Sequence, residues 1–240
     1  MLVKAQVKYI QSLGQKKFRD EEGAFIVEGP KMVRELLQAP NLELVYLVAT
    51  AAFRDTGIPF IEVKDSELER VSFLSTPNQV LAVFKKPTFP AADPGKGITL
   101  VLDGIQDPGN LGTIIRIADW FGVRQVICSR DSADVFSPKA TQSTMGSITR
   151  VQVLYNDPAA LLTRYPGMPV YTAVLEGKSI YHQARIAKGW IVIGNESKGI
   201  RGDLLKQATD PITIPRVGEA ESLNAAVATG IILSHLVGRD

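Results

Sequence analysis

The sequence predicts an α/β protein in two parts, a small α/β module followed by a larger parallel-sheet domain. Three observations carry that reading. Apolar runs of strand length alternate with helix-like segments throughout the 240 residues. The stretch KKPTFPAADPGKG, residues 85–97, holds three prolines and two glycines, which deny both helix and ladder hydrogen bonds, so it reads as a linker. The apolar strands beyond it are continuous rather than alternating, as in a parallel sheet covered on both faces. The expected boundaries are 1–85, a linker over 86–97, and 98–240.

In the first part, Ala24–Glu28 reads as a strand and Lys31–Gln38 as a helix opened by Pro30. Leu42–Thr50, Pro59–Val63 and Val80–Lys85 read as strands, with a helix over Ser66–Phe73. In the second part, Ile98–Leu102 is a buried strand, followed by a glycine-rich turn and a helix over Leu111–Phe121. Strands are expected at Gln125–Cys128, Val170–Val174, Gly189–Ile193 and Ile212–Ile214, and a last helix from Ser222 to Leu236.

Composition limits the function. Hydrophobic residues make up 45% and charged residues 22%, an ordinary globular mix. The net charge of +2, from 27 basic and 25 acidic side chains, excludes nucleic-acid binding by bulk charge and leaves only local patches. Residues 1–19 form such a patch: Lys4, Lys8, Lys16, Lys17 and Arg19 occur there with no acid among them. One cysteine, Cys128, and two distant histidines, His182 and His235, give no disulfide framework and no expected metal centre. The most apolar stretch, Leu223–Val237, is shorter than the roughly 18–20 residues of a membrane span and contains Asn224 and His235. No secretory segment or membrane association is expected, and the cytoplasm is the expected compartment.

Three strand-to-loop constellations carry the chemistry. In LVLDGIQDPGNLGTIIRIADWFG, residues 100–122, a strand runs through a glycine-rich turn into a helix bearing Asn110 and Arg116. The glycine spacing matches neither a dinucleotide fingerprint nor a P-loop, which disfavours a nucleotide-dependent oxidoreductase and leaves a tight βα turn as the plain structural reading. In WIVIGNESKGI, residues 190–200, Gly194, Asn195 and Glu196 follow a buried strand at the end where open α/β sheets bind ligands; a polar loop is the plain alternative. In ITIPRVGEAESLNAAVATGIIL, residues 212–233, Ser222 is placed to cap a helix rich in small residues, which also suits a buried packing helix.

Together, in this order, and with the intermediate KATQSTMGS (residues 139–147), these segments resemble the sequence motifs of the SpoU (TrmH-type) RNA 2′-O-ribose methyltransferases of the SPOUT superfamily. The resemblance covers essentially all of residues 98–240. It implies a deep trefoil knot, an exception to the unknotted rule, bound S-adenosylmethionine, and a homodimer formed through the C-terminal domain whose sites are completed across the interface. The cofactor-binding positions it implies are Thr172, Ala173, Val174, Leu175, Gly194, Asn195, Glu196, Gly199, Ile214 and Leu223. The catalytic set it implies is Arg116 with Asn110, Glu196, Ser222 and Asn224. The first part resembles, less specifically, the small ribosomal-protein-like RNA-binding domain that precedes many such domains, with Lys8, Lys16, Lys17, Arg19 and Arg116 as expected RNA contacts. The expected reaction is ribose methylation of RNA, ribosomal RNA first and transfer RNA as the alternative. A non-catalytic RNA-binding or ribosome-assembly protein is the competing class.

Overall fold

The computed structural model describes residues 1–53 and 57–237, so the last three residues of the expected 98–240 domain lie outside the described residues. The chain opens with two helices, α1 (Lys4–Ser12) and α2 (Lys16–Glu22), where the sequence alone shows a basic run. Gln6 starts α1 by accepting the Val3 N–H at 3.0 Å, and Gly23, at φ 57°, ends α2 in the left-handed region. There follow β1 (Ala24–Glu28), α3 (Pro30–Leu37), β2 (Leu44–Ala49), β3 (Ile61–Glu62), α4 (Asp65–Glu69) and β4 (Val80–Lys85). Beyond the proline-rich stretch come β5 (Ile98–Asp103), α5 (Pro108–Trp120), β6 (Gln125–Ser129), α6 (Pro138–Thr144), β7 (Gln152–Asn156) and α7 (Pro158–Leu162). The chain closes with β8 (Val170–Ser179), β9 (Gly189–Gly194), α8 (Gly202–Leu205), β10 (Asp210–Thr213) and α9 (Ala225–Leu236). Besides α1 and α2, four of these, α6, β7, α7 and α8, are not expected from the sequence, because they are short or only partly buried.

Two compact units result, and they do not follow the linear division. The first comprises Met1–Pro90 together with Asp134–Thr149; the second comprises Ala91–Ala133 and Arg150–Asp240. In the first unit a four-stranded sheet has the order β1-β4-β2-β3, with β4 antiparallel to both β1 and β2. Ile10, Leu13, Ile26, Val48, Leu81 and Val83 fill its core. The excursion over Asp134–Thr149 is held by side chains far apart in sequence. Phe136 packs on Phe25 with centroids 5.1 Å apart, and Asn41 Nδ2 donates to the Thr149 carbonyl at 2.9 Å. Arg19 makes a two-pronged contact with Asp134, Nε at 3.0 Å and Nη2 at 2.6 Å.

The second unit is built on a six-stranded sheet of order β10-β8-β9-β5-β6-β7, parallel at every pairing. Val101, Ile127, Trp190, Val192 and Leu204 are among its buried residues, and Trp190 satisfies its indole N–H on the Pro94 carbonyl at 2.7 Å. The sheet positions the site in one particular way. β9 runs between β5 and β8, but β8 and β9 stay paired only as far as Thr172. There β8 leaves the ladder: Pro211 of β10 faces Thr172, while the next residue, Ile212, faces Lys178. The residues between, Ala173–Gly177, bulge away at the carboxyl ends of the strands, where parallel sheets open a crevice.

Candidate active site

That crevice is a cavity of about 730 Å³, within the range of roughly 300–1,000 Å³ typical of small-molecule sites. Its walls come from three places: the β8 bulge, the loop after β9, and the segment from β10 into α9. Of the ten positions expected to hold a cofactor, Ala173, Val174, Leu175, Gly194, Asn195, Glu196, Gly199, Ile214 and Leu223 line it. Thr172 is a correction. It is fully buried between Val192 and Pro211, the last rung before the sheet opens, and its hydroxyl has no partner among the described residues. The lining also includes Arg216, Val217, Gly218, Ala228 and Ile232, which sequence reasoning missed because no local pattern shows that this loop and this α9 face fold onto the crevice.

The loop after β9 folds back on itself. Asn195 and Gly199 exchange backbone hydrogen bonds of 3.1 and 2.9 Å, with Gly199 at φ +67°. A Cβ on Gly194 would collide with the Gly199 carbonyl group, so only glycine permits this closeness. The Asn195 side chain locks the turn from inside. Its Oδ1 accepts from the Ser197 and Lys198 N–H groups at 2.9 and 3.0 Å, and its Nδ2 donates to the Gly104 carbonyl at 2.8 Å. Beneath it, the buried Asp103 at the end of β5 accepts the Arg201 N–H at 2.7 Å and pairs with the Arg201 guanidinium. The hydrogen bond from the guanidinium to Asp103 is the main cause raising the Arg201 pKa above its ordinary value.

A line of polar side chains stands beside the cavity. Asn110 Nδ2 donates to Glu196 Oε1 at 2.5 Å, and Asn224 Nδ2 donates to Asn110 Oδ1 at 3.0 Å. One residue from each of the three motifs therefore joins one hydrogen-bonded chain. Each is fixed locally: Asp107 caps α5 by accepting the Asn110 N–H at 2.8 Å, and Asn224 Oδ1 accepts from Ala226 and Val227 at 2.9 and 3.3 Å. Asn224, rather than the expected Ser222, is thus the cap of the last helix; Ser222 instead lines the cavity. Arg116 is exposed and does not join the chain. It lies six residues along α5 from Asn110, about 9 Å further along the axis and some 120° around it.

The expected basic patch is altered by folding. Lys8 is exposed, but Lys16 lies 2.5 Å from Asp20 and Lys17 lies 3.8 Å from Glu21, each one helical turn away. Arg19 is a correction: only 3% exposed, it is committed to Asp134 and to the Leu13 carbonyl, so no face is left for phosphate. Among the described residues no helix is long and apolar enough to cross a membrane, and no three His, Cys, Asp or Glu side chains gather as metal ligands.

Comparison with known proteins agrees with this arrangement. The SpoU rRNA methylase family matches residues 97–234, and an MRM3-like substrate-binding domain matches residues 4–82. The chain is 32% identical, over 97% of its length and 96% of the relative's, to the 23S rRNA (guanosine(2553)-2′-O)-methyltransferase RlmP of Bacillus subtilis. A structure from Porphyromonas gingivalis, described as belonging to the TrmH family of RNA methyltransferases, superposes with a TM-score of 0.88 at 42% identity, covering 98% of both chains. An AdoMet-bound rRNA methyltransferase from Sinorhizobium meliloti superposes with a TM-score of 0.84 at 31% identity, covering 98% of this chain and 95% of that one. The three motifs that meet around one crevice, and these matches over nearly the whole length, place the chain in the SpoU rRNA methylase family.

Proposed function

We propose that the protein transfers a methyl group from S-adenosylmethionine to a ribose 2′-hydroxyl of ribosomal RNA. The observation that carries this reading is the Glu196–Asn110–Asn224 chain beside the crevice at the strand ends. The cavity fits the donor: an apolar floor of Ile193, Ile200, Ile212 and Ile214 suits a nucleoside ring, and the close approach of Gly194 to the Gly199 carbonyl keeps the loop beside it compact. When bound, S-adenosylmethionine supplies an electrophilic methyl group on a sulfonium, which becomes a neutral thioether as the 2′-oxygen takes the methyl.

The protein's own residues orient and stabilise. Asn110 holds the Glu196 carboxylate in one direction, so the polar wall needs little reorganisation when the ribose arrives. Arg116 serves as the cation that binds the RNA phosphate and stabilises the developing 2′-oxyanion, while the hydroxyl proton passes to phosphate or water. A guanidinium is a poor base, because its pKa is roughly 12.5–13.8.

Arg116 reaches a site as part of a homodimer. Its exposed position off the Asn110 chain supports completion of each site by the partner's Arg116. The same helix pair exposes apolar Trp120 and Val227, a surface suited to burial against a second copy. Threading of the second unit into a trefoil knot belongs to the same reading, as does a cytoplasmic location with the ribosomal RNA. The test is complementation. Arg116→Ala and Glu196→Ala homodimers are each inactive on ribosomal RNA, and mixed dimers regain up to half of one wild-type dimer's activity. Inactive mixed dimers sink the shared site, and wild-type protein that neither binds S-adenosylmethionine by calorimetry nor methylates ribosomal RNA sinks the enzyme, leaving a non-catalytic RNA-binding protein.

A further inference from the structure

The first compact unit contains its own cavity, of about 210 Å³, lined by the end of β1, the 73–75 loop and one face of α6. At that volume it falls below the range of whole-cofactor sites and suits one planar group. Its chemistry is unusual for a surface dent. Glu28, only 4% exposed, lies in its wall, beside Phe73 and Ser75 from the loop and Lys139, Gln142 and Ser143 from α6.

Glu28 is held with its two oxygens differently engaged: Oε1 accepts the Phe73 N–H at 2.8 Å, and Oε2 accepts the Ser72 hydroxyl. An ionised carboxylate has about four acceptor positions, so each oxygen retains capacity for a further donor. Phe73 stands exposed with its ring against Gly14; a Cβ at residue 14 would collide with its Cε1. The ring is therefore braced through one edge on Gly14, at a pocket whose wall includes a carboxylate. Bases of single-stranded RNA are held in this way, stacked on an aromatic side chain and hydrogen-bonded on their Watson–Crick edge.

We propose that this cavity binds one unpaired guanine base of the substrate RNA, with Glu28 accepting from the base N1–H and N2 amino groups, Phe73 as the stacking platform and Lys139 facing the phosphate. Guanine presents two adjacent donors, which match two adjacent acceptor oxygens. Uracil presents carbonyl oxygens on either side of its one N–H, and they meet the carboxylate unfavourably. The proposal rests on the RNA-directed function above but adds a second recognition point, built partly from the Asp134–Thr149 excursion. Burial raises the Glu28 pKa against the lowering effect of the Ser72 and Phe73 hydrogen bonds.

The test uses the full-length protein and two labelled RNA pentamers, pentauridylate and the same pentamer with guanosine at its centre, followed by fluorescence anisotropy. The guanosine pentamer binds at least about tenfold more tightly, as one bidentate base contact gives. Glu28→Gln replaces an acceptor oxygen with a donor amide and abolishes that preference. Phe73→Ala, at a partly exposed ring, weakens guanosine binding about tenfold and keeps the test decisive should Glu28→Gln fail to fold. Equal affinity for the two pentamers, or a preference untouched by both substitutions, overturns the proposal. Methylation of ribosomal RNA by the same preparations separates the two claims: methylation without guanosine preference overturns only the pocket, and preference without methylation upholds the pocket while overturning the enzyme.

Discussion

The two cavities are built by opposite means. In the second unit, the crevice is shaped by the course of the main chain: a strand that leaves its ladder after Thr172 and a loop in which Gly194 closes on Gly199. In the first unit, a buried carboxylate, a braced ring and a helix face come together from distant stretches of sequence. Backbone built around glycines suits a ligand that never changes, because the recognition is written into the fold itself. Side chains from several elements suit a ligand that differs among relatives, because each can change without altering the sheet.

Polar side chains elsewhere sharpen the contrast: Arg19 and Asp134 brace the first unit, and Asn110, Glu196 and Asn224 organise the site of the second. Arg19→Ala leaves Asp134, 11% exposed at its side chain, without its partner. Removing one member of a buried pair costs about 3–5 kcal/mol. The expected result is a large drop in the denaturation midpoint with methyl transfer per folded molecule unchanged. A variant as stable as the parent breaks the comparison, because Arg19 would then be free to act as the sequence suggested.

Asn110→Ala is the reciprocal experiment. It removes the side chain bridging Glu196 and Asn224 at the partly exposed edge of the cavity. Losing one preorganised donor costs about 10²–10³ in kcat. Stability should change little, because the Asp107 carboxylate still accepts the main-chain N–H at position 110 in the variant. Single-turnover methylation with saturating S-adenosylmethionine measures the loss; a change confined to the cofactor's Kd would make the chain a binding device and not a catalytic one.

Local signals account for what the sequence revealed of this site. The strand 189–194, the turn Asp107-Pro108 and the strand entering Ile212 each announce themselves within a few residues, and so does the order in which they meet. Where two local signals compete, only packing decides. Ser222 and Asn224 are both good cap residues, and Asn224 holds the position while also reaching Asn110. The placement of Asp134–Thr149 with the N-terminal unit has no local signal at all. It depends on Arg19 meeting Asp134 across 115 residues and on Phe25 meeting Phe136. The pairing of Lys16 and Lys17 is legible, since Asp20 and Glu21 follow at the spacing of one helical turn, but it requires first seeing α2.

The smallest expected effect concerns a carboxylate in each unit, shifted in opposite directions. Burial raises the Glu28 pKa, whereas at Asp131, mostly exposed, the Ser129 hydrogen bond is the main cause of a lowered one. The consequences for stability have opposite signs. Glu28 binds its proton more tightly when folded, so its contribution is complete below its unfolded value of about 4.3 and is lost as pH rises through the raised folded value. Asp131 contributes above its unfolded value of about 3.9 and loses that contribution as pH falls through the lowered one; exposure and solvent screening keep it small. Urea midpoints of the parent, Glu28→Gln and Asp131→Asn at acid and neutral pH should therefore diverge in opposite senses. The parent gains on Glu28→Gln toward acid and on Asp131→Asn toward neutrality. If Glu28→Gln tracks the parent at both pH values, the Glu28 carboxyl is solvated after all, and the side-chain-built pocket loses the desolvated acceptor that distinguishes it from the main-chain-built one.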